Sequence, residues 1–334
     1  MRDSPTVVIT GASAGVGRAT AHAFARIGAR IGLLAREPDA LVDTAREVER
    51  LGGEALPMVT DVADFGAVDG AAVAVEEAFG PIDVWVNNAM ATVFSPVKEL
   101  KPHELHRVTA VTYHGYVHGT IAALRRMLPR DRGRIIQVGS ALAYRGIPLQ
   151  AAYCGAKHAI VGFTDSLRCE LIHDGSGVRL TMVHLPAMNT PQFDWARTRF
   201  GKRPRPVGAI MQPEKAADAI VWAAEHGGRE LWVGSSTAQA ILGQMVAPAL
   251  MDRYLARNAY EAQLREQPLP PGYRDNLYEP VPGVHATHGA FDDRARMPGR
   301  FVRAATARGL VAAAGFALML GAATLARRTA PRQT

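Results

Sequence analysis

Cysteine is nearly absent from this chain: Cys154 and Cys169 are the two among 334 residues. Two thiols fifteen positions apart cannot form a disulfide scaffold. They also lack the spacing of a metal site, so the expectation is a reducing, cytoplasmic setting and no metal. Acidic residues are missing from one end. From Arg294 to the C-terminus there are eight arginines and no Asp or Glu. Those eight account for the net charge of +7, because without them 30 basic residues face 31 acidic ones. With no basic stripe interleaved with aromatics on the body, nucleic acid is not an expected partner. A leader pattern is lacking too: Met1 to Pro5 is short and polar, and no signal peptide is expected.

What the chain does have is apolar mass, at 48% hydrophobic residues, enough for a full core in one large α/β domain with an extension. Short β-branched runs alternate with helical patterns. Strands are read at Thr6–Thr10, Arg30–Ala35, Glu54–Thr60, Ile82–Val86, Arg134–Val138, Arg179–His184 and Glu230–Val233, with helices at Pro38–Leu51, Phe65–Phe79 and Pro213–Glu225. Such alternation predicts a doubly wound parallel sheet of the Rossmann type with helices on both faces.

The richest stretch for chemistry runs from Gly139 to Lys157. Ser140 ends a strand; Tyr153 and Lys157 stand at i and i+4 on the next helix and share a face. A phenol titrates near ~10 and is a poor acid–base at neutrality, but a lysine ammonium beside it favours the phenolate. Ser140 would hold a substrate oxygen against the tyrosine hydroxyl. The plainer reading is a core tyrosine with a solvated lysine, since YxxxK alone recurs by chance.

Gly11, Ser13, Gly15 and Gly17 fall between the first strand and a helix, the setting of a phosphate cradle. The spacing is GxxxGxG, and glycine also marks ordinary turns. The second strand ends at Arg36 with no acid at its tip. An arginine there accommodates a ribose 2′-phosphate, which favours NADP, and Ser13 would donate to the same phosphate; the alternative is a solvated arginine opening a helix. Asp61 and Val62 follow the third strand, where Asp61 would meet an adenine amino group. Asn88 follows the fourth. All these positions lie at C-terminal strand ends, where open α/β sheets bind ligands.

In these motifs, over about Thr6 to Gly234, the chain resembles the short-chain dehydrogenase/reductase family. TGASAGVG at Thr10–Gly17, Asp61-Val62, Asn87-Asn88-Ala89 and Ser140 with Tyr153 and Lys157 carry the resemblance, as does Leu185-Pro186-Ala187 followed by Asn189-Thr190. The resemblance implies hydride transfer between NADP(H) and a carbonyl/alcohol pair. Tyr153 would exchange the proton, Lys157 would bind the nicotinamide ribose and lower the tyrosine pKa, and Thr190 would contact the carboxamide. It also implies a dimer or tetramer. Two departures stand out. Met90 replaces a usual glycine, and Thr112 stands where an asparagine usually anchors a water in the proton relay. A cofactor-binding protein with little turnover is therefore the alternative to an enzyme.

Gln192 to Met211 mixes Phe193, Trp195 and Phe200 with basic residues and prolines, either an apolar lid over a lipophilic substrate or an irregular loop with packed aromatics. The domain reading is 1–235 for the cofactor-binding and catalytic domain, 236–300 for a helical and proline-rich extension, and 301–334 for a basic tail. Within that tail, 309–326 is uncharged and would span ~27 Å as a helix. Seven alanines and three glycines weaken it, leaving a membrane anchor and a buried or oligomer-forming helix as its two readings.

Overall fold

The computed structural model describes residues 4–297 and 301–309. Its centre is an eight-stranded sheet: β1 (Thr6–Thr10), β2 (Arg30–Ala35), β3 (Glu54–Val59), β4 (Val84–Asn87), β5 (Gly133–Ser140), β6 (Val178–Leu185), β7 (Glu230–Val233) and β8 (Phe301–Arg303). The spatial order is β8-β7-β6-β5-β4-β1-β2-β3. The first seven strands run parallel and β8 pairs antiparallel with β7. The order reverses between β1 and β4, which opens a crevice at their C-terminal ends.

Helices cover both faces, as continuous apolar strands require. On one side α1 (Gly15–Ala25) and α2 (Pro38–Arg50) pack with Val7, Ile9 and Leu33. On the other α3 (Phe65–Phe79), capped by Asp64 accepting from the Ala67 N–H, packs with Val8, Trp85 and Ile135. Next come α4 (Pro102–Thr109), a single wider π turn at Ala110–His114, and α5 (Gly115–Met127). The long α6 (Ala151–His173) carries Tyr153 and Lys157. A short α7 (Gln192–Trp195) and then α8 (Pro213–His226), opened by its proline, lead into β7.

Beyond Gly234 the chain returns to the body repeatedly. α9 (Ser235–Val246) and α10 (Pro248–Asn258) form a hairpin, broken at Ala247 because Pro248 cannot continue the helix. Residues Leu264–Pro268 pair antiparallel with Lys202–Pro204. The proline-rich stretch that follows has no helix and crosses the C-terminal edge of the sheet. Residues 301–303, read in sequence as the start of the tail, are the edge strand β8. Among the described residues no helix is long and apolar enough to cross a membrane; the run 310–326 lies outside them.

Candidate active site

One cavity of about 430 Å³ occupies the crevice. Gly11, Ser13, Gly15, Arg36, Asp61, Val62, Asn88, Ser140, Tyr153, Lys157 and Thr190 are all on its wall. Positions 180 residues apart therefore meet at one ligand-sized space. Gly17 and Thr112 are not on the wall.

The glycine loop is held by close approach. A Cβ on Gly17 would sit 2.0 Å from the Gly11 carbonyl oxygen, and Gly11 itself adopts φ 67°, where a side chain is strained. Asn88 braces this turn through Nδ2, donating to the carbonyls of Thr10 (2.9 Å) and Gly11 (3.2 Å). Ala14 at the N-cap of α1 offers no side-chain acceptor; of the N–H groups at the helix start, that of Gly15 donates to the Ala286 carbonyl at 3.1 Å.

At the other end Arg36 donates to the carbonyls of Tyr278 (2.7 Å) and Asn276. It makes no ion pair among the described residues, and burial followed by the nearby Arg107 lowers its pKa. Asp61 accepts from Arg107 and from the Ala63 N–H (3.0 Å). Burial opposes its charge, but those bonds hold the carboxyl below its ordinary range. Val62 is buried, and its carbonyl accepts from His118 Nδ1 at 2.8 Å.

At the catalytic end the Ser140 hydroxyl accepts from the Leu142 N–H (3.1 Å) and borders Tyr153. Burial pushes the Tyr153 phenol up, and the Ser140 hydrogen bond only partly offsets it. The buried Lys157 ammonium donates to the Tyr116 hydroxyl (2.8 Å) and the Val138 carbonyl (2.7 Å), and lies 5.7 Å from the Tyr153 ring centre. With two neutral acceptors and no carboxylate partner among the described residues, burial lowers its pKa to about 7.

Thr112 is buried beside the loop after β4. Its hydroxyl accepts from the Ala91 N–H and donates to the Ala91 carbonyl, both at 3.0 Å, pinning the loop after β4. Tyr116, one helical turn further on and just after the π turn, accepts from the lysine. Tyr116 was missed in the sequence because a helical tyrosine looks like core until its hydroxyl partner is known.

The proline-rich segment was missed as well. Its backbone carbonyls, unused by helix or sheet, need donors. Arg18, Arg36 and Arg107 supply them to His285 (2.6 Å), Tyr278 (2.7 Å) and Leu277 (3.0 Å), and the Gly15 N–H donates to Ala286 (3.1 Å). Of the expected lid aromatics, Phe193 and Trp195 line the cavity, whereas Phe200 packs on Tyr260. Trp195 also meets the His285 ring at 4.7 Å.

The short chain dehydrogenase profile matches residues 5–199, which include the glycine loop, Ser140, Tyr153, Lys157 and Thr190. The chain belongs to the short chain dehydrogenase family. It is 34% identical to the uncharacterized oxidoreductase YxnA of Bacillus subtilis over 84% of this chain and 79% of that one. It is 36% identical to the probable oxidoreductase EphD of Mycobacterium tuberculosis, over 64% of this chain and 38% of that protein. Estradiol 17-beta-dehydrogenase 11 of Mus musculus is 29% identical over 72% of this chain and 79% of that one. This short chain dehydrogenase is thus an oxidoreductase of a family that uses nicotinamide dinucleotides. Its cavity fits such a cofactor in kind: a glycine loop leading into a helix N-terminus in the middle, a cation at one end, a tyrosine and lysine at the other.

Proposed function

We propose that the protein interconverts a carbonyl and an alcohol on a lipophilic substrate, with NADP(H) as hydride carrier. The observation that carries the reading is the common wall: Arg36, the glycine loop and the Ser140–Tyr153–Lys157 set open on the same cavity. Support for NADP over NAD comes from Arg36, a half-buried cation just after β2 that donates to two backbone carbonyls and makes no ion pair among the described residues. Support for a lipophilic substrate comes from Leu142, Ile147, Met188, Phe193 and Val207 around the catalytic end. The mouse relative's name, which specifies estradiol, points the same way.

When bound, the nicotinamide supplies or takes the hydride. The remaining tasks fall to the chain. Ser140 orients the substrate oxygen, and Tyr153 gives that oxygen a proton in reduction or removes it in oxidation. Lys157, held by Tyr116 and Val138, places a proton-bearing nitrogen beside the phenol. In its ammonium form it favours the phenolate and counters the effect of burial on Tyr153.

The test is a paired titration of NADPH and NADH followed by nicotinamide fluorescence, repeated with Arg36→Ala, together with turnover of lipophilic ketones by Tyr153→Phe. The expected result is a preference for NADPH that Arg36→Ala removes, and lost turnover with retained binding in Tyr153→Phe. Preference for NADH overturns the NADP reading. Unchanged turnover in Tyr153→Phe overturns the proton-transfer assignment.

A further inference from the structure

The α9–α10 hairpin has two apolar faces. Inward, Ala240, Met251 and Leu255 line the catalytic cavity. Outward, Met245, Val246, Leu250 and Tyr254 are 52%, 74%, 66% and 58% exposed, four large apolar side chains within ten positions around the Ala247–Pro248 tip. A surface helix in water normally turns polar residues outward, and an apolar patch at the mouth of a ligand cavity marks a docking surface.

The hairpin is firmly built. Gly243 lets the helices approach, since a Cβ there would lie 3.1 Å from Met251 Sδ. Arg145, from the loop after Ser140, clamps both helices through Gln244 and Asp252, each at 2.6 Å. That ion pair occupies the Asp252 carboxylate, while Arg253 and Arg257 are exposed beside the apolar tip. An apolar tip flanked by cations matches an anionic lipid surface. Residues 304–309 pack on α9, with Ala304 and Ala307 grouped with Ala238, Ile241 and Leu242.

We propose that the α9–α10 hairpin docks on an anionic lipid bilayer, with Val246 and Leu250 in the apolar layer, so that substrate enters the cavity from the lipid. The docking stands on the hairpin alone; the entry route rests on the lipophilic-substrate reading above.

The experiment uses the full chain with Cys169→Ser, an environment-sensitive fluorophore on Val246→Cys, and vesicles of phosphatidylcholine with phosphatidylglycerol. A second labelled protein carries Ile172→Cys, 72% exposed near the end of α6, as the reference position. A blue shift at Val246 on adding vesicles, with none at Ile172, is expected. No shift at Val246 overturns docking. A shift without vesicles that grows with protein concentration also overturns it, because a second copy then covers the face. These readings need no turnover and decide docking even where the enzyme assignment fails. For the entry route, Leu250→Asp should keep its rate on a water-soluble ketone and lose about tenfold or more on a ketone delivered in vesicles, as expected for withdrawing a buried leucine from lipid. Equal rates on the vesicle-borne ketone, or equal loss on both, overturn that route.

Discussion

The Lys157 ammonium donates to the Tyr116 hydroxyl at 2.8 Å, and the same hydroxyl donates to the Val138 carbonyl that also receives Lys157. Tyr116 is 1% exposed and holds Lys157, which is on the cavity wall, from behind. The arrangement fixes the ammonium beside Tyr153 without any carboxylate. Tyr116→Phe removes one acceptor from a buried cation, a bond worth roughly 1.5–3 kcal/mol. Its expected effect on kcat/KM for ketone reduction is a loss of roughly ten- to hundredfold.

Thr112→Val makes the matching contrast. It leaves the Ala91 N–H and carbonyl without their partner, so unfolding in urea should show a loss of about 1–3 kcal/mol. The turnover of the folded fraction should stay near the parent's. A large loss of turnover at unchanged stability would return Thr112 to the proton relay.

Lys157 also sets a pH dependence. Its folded pKa is depressed to about 7 from 10.5. Between those values the unfolded chain holds more protons, so this group's contribution makes the cofactor-free protein more stable as pH rises from 7 toward 10.5. Below pH 7 the burial cost is fully present, on the order of a few kcal/mol. Comparing urea unfolding of parent and Lys157→Met across this window isolates the effect: the parent should gain stability relative to the variant as pH rises.

Behind Ser140 lies a buried polar chain. His184 donates through Nδ1 to the Ser140 carbonyl (3.2 Å), and its Nε2 is 3.7 Å from Glu230. Glu230 accepts from Tyr144 (2.9 Å) and Arg308 (3.2 Å). Burial opposes the charge of Glu230, while His184, Tyr144 and Arg308 hold its pKa down. Burial lowers His184 to about 4, and Arg308 adds to that lowering. Arg308→Gln should therefore raise the His184 pKa, measured by NMR titration of the imidazole. It should also cost about 1–2 kcal/mol, less than a fully buried pair because Arg308 stays a third exposed.

Gly139→Ala probes the same contact sterically. A Cβ there would lie 2.5 Å from His184 Nδ1, so either the ring or the β5 end that carries Ser140 has to move. The expectation is turnover reduced by about tenfold or more with cofactor binding retained, since a misplacement of about 1 Å can be that costly. Parallel turnover and binding assays separate the two.

By itself the sequence determined seven of the eight sheet strands, their parallel run, and the wall positions from Gly11 to Thr190 that carry the motifs. Period and glycine placement are local, and Ser140, Tyr153 and Lys157 are tied to one strand and one helix, so their meeting follows from the βα order. Tertiary structure alone decided what each polar group is bonded to. Thr112 and Tyr116 differ by one turn, yet one bonds the loop after β4 and the other the lysine. The proline-rich segment is held by its own backbone carbonyls, which accept from Arg18, Arg36 and Arg107 and which no side-chain pattern encodes. Arg308 reads as one more basic residue of the tail, yet β8 returns to the sheet and brings it to a carboxylate 78 positions earlier. Bonds across such distances depend on how the whole chain packs, and that is where the sequence pattern ends.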